Sequence, residues 1–201
     1  MMLCAISTAL LTAQGISNGV AVLAGVAIVA LVGVIVERIA VRPALKTAGS
    51  MGWVIATLGF GILLQGITSK FFGSQAIPFP EVLFTVQDVI DIGGQNISLQ
   101  YVSIFVVSIL IIVVLEGLTR YTVLGTAIRG TAQDMELAIV QGLPVNLIVS
   151  GSFVLSSILA GIAGILTAQI SGTVDPAFGF ELVLMGFVAA VLGGMGSSAG
   201  A

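Results

Sequence analysis

Gly19–Val36 reads GVAVLAGVAIVALVGVIV, an apolar run with no charged, amide or proline residue. A helix rises about 1.5 Å per residue through about 30 Å of bilayer hydrocarbon, so a spanning helix needs about 20 mainly apolar residues. Three further segments meet this requirement: Met51–Ser69, Tyr101–Leu118 and Leu147–Ile170. None of these spans holds Lys, Arg or Asp, and the one acid, Glu116, sits in a last turn from which it can reach the interface. That pattern follows from the cost of about 2.5–3.5 kcal/mol for a charge at a helix centre. Two shorter runs, Met1–Ala13 and Leu182–Leu192, read as helices cut off by the ends of the chain. Met1–Ala13 lacks the basic start and cleavage pattern of a secretory signal. The expectation is an all-α polytopic transmembrane helix bundle with four full spans plus two partial spans. Residues 1–201 then form a single transmembrane domain, a fragment of a longer chain.

Composition agrees. The chain is 58% hydrophobic and 7% charged, with a mean hydropathy of +1.22, whereas about 25% of residues are charged in an ordinary globular protein. With no His and one Cys there is no His/Cys zinc site, no Ser-His-Asp or Cys-His nucleophile pair and no internal disulfide. No G-x-x-x-x-G-K-[ST] loop is present to cradle a nucleotide phosphate. Six scattered basic residues against nine acids give no stripe for nucleic acid. Cys4, in an apolar run, reads as a packing residue.

Basic residues orient the spans. Arg38, Arg42 and Lys46 fall in the connection 37–50, and Arg120 and Arg129 in the connection 119–146, so these two face the cytoplasm. The alternate connections carry Lys70 against Glu81, Asp88 and Asp91, then Asp175 with no base, and face outward. Each span reverses direction and the assignment closes.

The last full span places Ser152, Ser156, Ala160, Gly164 and Ala168 at four-residue spacing, widened by Gly151, Ser157 and Gly161. Ala21, Gly25 and Gly33 resemble it in an earlier span. Such stripes let helix backbones approach closely in lipid; a sliding face beside a solute path is the sharper alternative. Ile165, off the stripe, is expected to face lipid or a softer contact. Ser and Thr inside spans more often bond their own helix backbone. The candidates for lining a translocation path are Thr57, Gln65, Ser156, Ser157 and Gln169, the amides because they need partners in hydrocarbon. No buried acid offers a proton relay or ion-coupling site.

The outward loop, residues 70–100, holds IPFPEVLF and VIDIGGQNISLQ. Gly93-Gly94 between alternating Val89/Ile92 and Ile97/Leu99 predicts a hairpin, a small external platform that caps the bundle or seats an external partner. The sequon Asn96-Ile97-Ser98 reads as turn chemistry.

The cytoplasmic connection contains LGTAIRGTAQDMELAIVQGLP, Leu124 to Pro144. Thr131 can cap a helix with Asp134 at N3 and Glu136 close behind, Gly142 can end it, and Pro144 can start the next span. About three turns result. Met135, Leu137, Ala138, Ile139 and Val140 make that helix apolar enough to need cover, from a lipid surface or a cytoplasmic protein.

Glu37-Arg38 with Arg42-Pro43, Thr57-Leu58-Gly59, Leu124-Gly125, Ala127, Arg129, Thr131-Ala132-Gln133-Asp134, Gly142, Phe153-Val154-Leu155, Ala160-Gly161, Ala163-Gly164 and the run Phe187 to Ser197 resemble the LivH-type permease family of branched-chain amino acid ABC transporters. The resemblance covers the chain from about Met1 to Ala201 and is most specific in its second half. It implies a permease subunit that imports leucine, isoleucine, valine or similar solutes by alternating access, in a bacterial-type inner membrane. The implied partners are a second homologous permease subunit, two cytoplasmic ATPase subunits that bind the ATP, an external solute-binding protein and membrane lipid, with no nucleic acid. The chain itself would be no enzyme and would hold no cofactor. The segment 119–146 would be the coupling segment, with Arg129, Thr131, Gln133, Asp134, Met135, Glu136, Leu137, Ala138 and Gly142 meeting the ATPase. The alternatives are an ABC permease for another solute such as a sugar, a half-unit of an ion-coupled carrier, and a non-transporting scaffold.

Overall fold

The computed structural model describes residues 1–47, 52–80, 89–92 and 95–193. Among them lie α1 (Met2–Ala13), α2 (Asn18–Val36), a π-helical turn (Glu37–Val41), α3 (Arg42–Thr47), α4 (Gly52–Phe72), β1 (Ile77–Pro78), β2 (Val89–Ile92), β3 (Gln95–Ser98), α5 (Leu99–Tyr121), α6 (Val123–Gln133), α7 (Met135–Val140), α8 (Val145–Ser171), β4 (Thr173–Val174) and α9 (Phe180–Gly193). Four helical stretches are long and apolar enough to cross a membrane: Asn18–Ala44, Ile55–Phe72, Leu99–Tyr121 and Val145–Ser171. They coincide with the expected spans, and Met2–Ala13 and Leu182–Gly193 are the short apolar helices. The first span runs further than its apolar composition suggests. Helix continues past Val36 through Glu37 and Arg38 to Thr47, so the connection 37–50 is largely helix rather than loop. Charges at a membrane boundary can sit on a continuing helix as long as water or a partner reaches them.

The chain forms two compact units, Met1–Val82 with Phe153–Leu182, and Leu83–Ser152 with Val183–Ala201. In the first unit, α1 reverses into α2 through Gly15, whose φ of +84° suits a residue without Cβ. Gly15 N–H donates to Thr12 O at 2.9 Å and Ile16 N–H to Leu11 O at 3.3 Å, the paired bonds of a Schellman stop. The two helices then pack at small residues. A Cβ on Gly25 would stand 2.5 Å from Thr8 Oγ1 and 3.1 Å from Cys4 O. A Cβ on Gly161 would reach Cys4 Sγ at 3.2 Å, one on Gly164 would lie 2.7 Å from the Met1 backbone, and one on Gly33 would overlap Ser157 Oγ. The expected stripe is therefore a packing surface from Ser157 to Ala168. Gly151 has open space around it and Ser156 is exposed. Ile165 departs from expectation: it is 4% exposed and belongs to the core with Cys4, Ala5, Ile6, Ala9, Val29, Phe79, Ala168 and Val174. Residues 161, 164, 165 and 168 share one face at i, i+3, i+4, i+7 spacing, so the buried stripe is broader than its small residues alone.

β1 pairs antiparallel with β4, Ile77 opposite Val174 and Pro78 opposite Thr173, and Phe79 N–H donates to Gly172 O at 2.9 Å. This ladder joins the segments that leave α4 and α8, so both helices end on the same side of the first unit, as the basic-residue orientation requires.

In the second unit, β2 and β3 form a hairpin with Ile92 opposite Gln95, a register that leaves Gly93-Gly94 as its loop; those two residues lie outside the described ones. Asn96-Ile97-Ser98 falls in strand β3, with Asn96 opposite Asp91, which replaces the turn reading. The hairpin leads directly into α5. Phe105, Leu110, Ile112 and Val113 on α5 are exposed, as suits a lipid-facing helix.

Candidate coupling site

The connection 119–146 is built upward from the last turn of α5. Thr122, extended at φ −107° and ψ 153°, caps α6 by accepting from Gly125 N–H at 3.0 Å, and its hydroxyl donates to Leu118 O. Gly125 is buried because the two helices touch there: a Cβ would stand 2.5 Å from Leu118 O and from Thr119 Cα. Thr131 lies inside α6, where its Oγ1 donates to Ala127 O at 2.8 Å.

The helix does not run on from Thr131 to Gln141. Asp134 leaves the helical region at φ −152° and ψ 108° and its Oδ1 accepts from Leu137 N–H at 3.0 Å, making it the N-cap of a separate α7. The expected single helix of about three turns is thus two helices. The physical reason is that Asp134 competes for backbone donors better as a cap than as an N3 acid, while Thr131 finds its acceptor one turn back. A capping Asp before M-E-L was as visible in sequence as the Thr131 alternative.

The exit matches expectation. Gly142 takes φ +78°, its N–H donates to Ile139 O at 2.9 Å and Leu143 N–H donates to Ala138 O at 3.1 Å. Pro144 O then accepts from Ile148 N–H at 3.1 Å as α8 begins.

The structure sorts the candidate residues by side. Arg129, Gln133, Asp134 and Gly142 are exposed. On α7, Leu137 is 58%, Ile139 59% and Val140 82% exposed, Met135 is at the edge of exposure and Ala138 is buried. Glu136 occupies the second position of α7. An aliphatic surface of Leu137, Ile139 and Val140 remains exposed among the described residues.

The path candidates do not form a cluster. Thr57 and Gln65 are half-buried on α4, Ser156 is exposed, Ser157 is half-buried and Gln169 is buried on α8. Ser157 and Gln169 stand about 18 Å apart along their helix at about 1.5 Å per residue, and Ser157 packs on Gly33. Ser152, Thr68 and Thr167 donate to carbonyls one turn back, at 2.9, 2.8 and 2.9 Å, the backbone bonding expected of them. The pair Glu37 and Arg42, taken from sequence as a marker and a topology charge, is a half-buried ion pair. Its Nε–Oε1 distance is 2.6 Å with the Glu37 side chain fully buried. Among the described residues no group of His, Cys, Asp and Glu could hold a metal ion.

Four apolar spans, with a capped helix pair between two of them, define a multi-pass membrane protein. The family model for the branched-chain amino acid transport system permease component matches residues 1–201, and the chain belongs to that family. It is 32% identical over 170 residues to the high-affinity branched-chain amino acid transport system permease protein LivH of Salmonella typhimurium, covering 83% of this chain and 54% of that protein. It is 31% identical over 181 residues to BraD of Pseudomonas aeruginosa, covering 89% and 58%. With a probable LivH of Methanocaldococcus jannaschii it shares 33% over 180 residues, 86% and 55% of the two chains. The chain thus spans about half the length of these relatives. No solved structure matches it.

Proposed function

We propose that this chain forms the membrane-spanning part of a permease subunit of an ABC importer that moves leucine, isoleucine, valine or a similar solute across a bacterial-type inner membrane by alternating access. The observation that carries the reading is the exposed apolar face of α7, bounded between two spans by the Asp134 cap and the Gly142 stop. A force-receiving element needs that combination, because a partner's movement reaches the spans only through an element that does not yield. ATP would be bound by two cytoplasmic ATPase subunits, since this chain carries no phosphate loop. A second homologous permease would complete the pathway, and an external solute-binding protein would deliver solute from the side opposite the ATPases. The solute class is that named for the relatives, the branched-chain amino acid permeases LivH and BraD.

The buried acid Glu37 does not favour an ion-coupled carrier: it sits at the end of α2 and is matched by Arg42, whereas ion coupling needs an acid that exchanges its cation near mid-membrane. The test is uptake of radiolabelled leucine into vesicles holding the full-length permease pair and ATPases. Uptake that needs both internal ATP and the external binding protein supports the reading; uptake driven by an ion gradient without ATP contradicts it.

A further inference from the structure

We propose that the first turn of α6, with Tyr121, is a membrane anchor seated at the boundary between acyl chains and headgroups, where Arg120 meets the phosphates of anionic lipid. The inference requires the spans and separates α6 from α7, whose partner belongs to the reading above.

Height comes first. Helix α5 has 23 residues, about 34 Å at about 1.5 Å per residue, so it reaches from one interface to the other. Its apolar run ends at Leu118. Gly125 lies against the backbone of Leu118 and Thr119, so α6 starts beside the last turn of α5 instead of leading away from it. Val123 and Leu124 therefore stay within about one helical turn, about 5.4 Å, of the hydrocarbon edge. At that height Tyr121 is 84%, Val123 87% and Leu124 69% exposed, an aromatic and two aliphatic side chains within four consecutive residues left open among the described residues. A ring with a hydroxyl and two aliphatic residues at this depth have the chemistry of the interfacial belt.

Charge selects the occupant. Arg120 is 62% exposed at its side chain and touches Glu116 Oε1 through Nε at 3.4 Å, which leaves most of its five N–H donors outward. From Gly117 to Gln133 there is no acid and there are two arginines, which suits an anionic leaflet. Around α7 the balance inverts: the sequence carries Asp134 and Glu136, and no base follows Arg129. An anionic surface would accept the α6 patch and repel the α7 patch, so one occupant cannot serve both.

The test uses the full-length permease reconstituted in phosphatidylglycerol-containing vesicles, in a Cys4→Ala background, with nitroxide on Val123→Cys or Val140→Cys. The label at 123 is expected to be relaxed by oxygen from the bilayer rather than by an aqueous nickel chelate, with no change on adding the ATPases. A label at 123 that nickel reaches freely, or that the ATPases shield, overturns the anchor. A label at 140 that the ATPases leave unchanged, while 123 stays in lipid, supports the anchor and removes the coupling reading alone. The headgroup part is read separately with Leu124→Trp in a Trp53→Phe background and brominated lipids. Quenching should be at least about twofold stronger from anionic than zwitterionic lipid, and Arg120→Gln should abolish the preference; an unchanged preference contradicts it.

Discussion

Arg42 Nε donates to Glu37 Oε1 at 2.6 Å, across five residues in sequence. Those residues would not face each other on an α-helix, where neighbours are three and four apart. The π turn over Glu37–Val41 brings them together, with Arg42 N–H also reaching Glu37 O. The wider turn thus places a cation on an acid that is fully buried at the end of the first apolar run. Both residues stand in the family-like ERIAVRP sequence, and the geometry gives that spacing a physical reason.

Removing Arg42 should therefore cost more than removing both charges. Arg42→Met leaves the Glu37 carboxylate buried without its cation and should destabilise the permease by about 2–3 kcal/mol, below the full penalty for a buried pair because Arg42 keeps some access to water. Glu37→Gln with Arg42→Met should recover most of that loss. Thermal unfolding of the purified full-length permease in lipid nanodiscs checks this; equal loss in the single and double variants would show that the pair is not coupled.

On α8 the small-residue stripe separates into buried and open positions. Gly164→Leu would drive its side chain into the Met1 backbone and should lower folded yield several-fold, a cost on the order of 2–3 kcal/mol. Gly151→Leu, in open space, should leave yield nearly unchanged. Ile165, being buried, is no neutral control. Size-exclusion profiles of the two glycine variants decide the matter, and identical profiles would mean that the stripe is not a contact.

The spans were legible because membrane thickness turns composition directly into length, and the hairpin because Gly93-Gly94 sits between alternating apolar residues. The Schellman stop at Gly142 was legible for the same kind of reason, a local rule with one solution. The joint at Asp134 was not, since two capping residues three positions apart compete, and only the structure shows Asp134 taking the Leu137 amide while Thr131 bonds back to Ala127 O. Neither the β1–β4 ladder nor the Glu37–Arg42 contact could be read from sequence. The first joins segments that are far apart in the chain, and the second depends on a π turn that no apolar periodicity announces. Ile165 was misplaced because a stripe drawn from small residues alone ignores the larger ones that complete its face.

Capping gives a local test of the two-helix connection. Asp134→Ala removes the Leu137 N–H acceptor and should loosen α7 by about 1 kcal/mol, reducing transport in proportion. Thr131→Val removes only a bond to a carbonyl already used within α6 and should have little effect. Hydrogen exchange of the α7 amides is the readout; faster exchange in Thr131→Val than in Asp134→Ala would restore a single helix beginning at Thr131.

Topology can be probed with exposed residues on the two sides. In sealed right-side-out vesicles, Gln75→Cys and Ala177→Cys should react with an impermeant maleimide and Gln133→Cys should not, because the distribution of basic residues among alternate connections predicts opposite sides for them. Cys4 is fully buried and gives little background. Equal labelling at Gln75 and Gln133 would overturn the orientation.

The claim that α7 receives the ATPase is tested most directly by placing an acid on its uncovered face. Val140→Asp and Leu137→Asp change exposed side chains outside the hydrocarbon and should leave insertion and assembly of the spans intact. Ala138 is buried, so Ala138→Asp would disturb folding and is unsuitable. In vesicles holding the full-length permease pair, ATPases and binding protein, the measurement is solute-stimulated ATP hydrolysis together with leucine uptake. The account predicts that both fall at least about tenfold in Val140→Asp and Leu137→Asp, with the ATPases lost in pull-down, while the variants insert at normal levels. Wild-type hydrolysis and uptake in both variants would contradict it and leave α7 a connector between two spans.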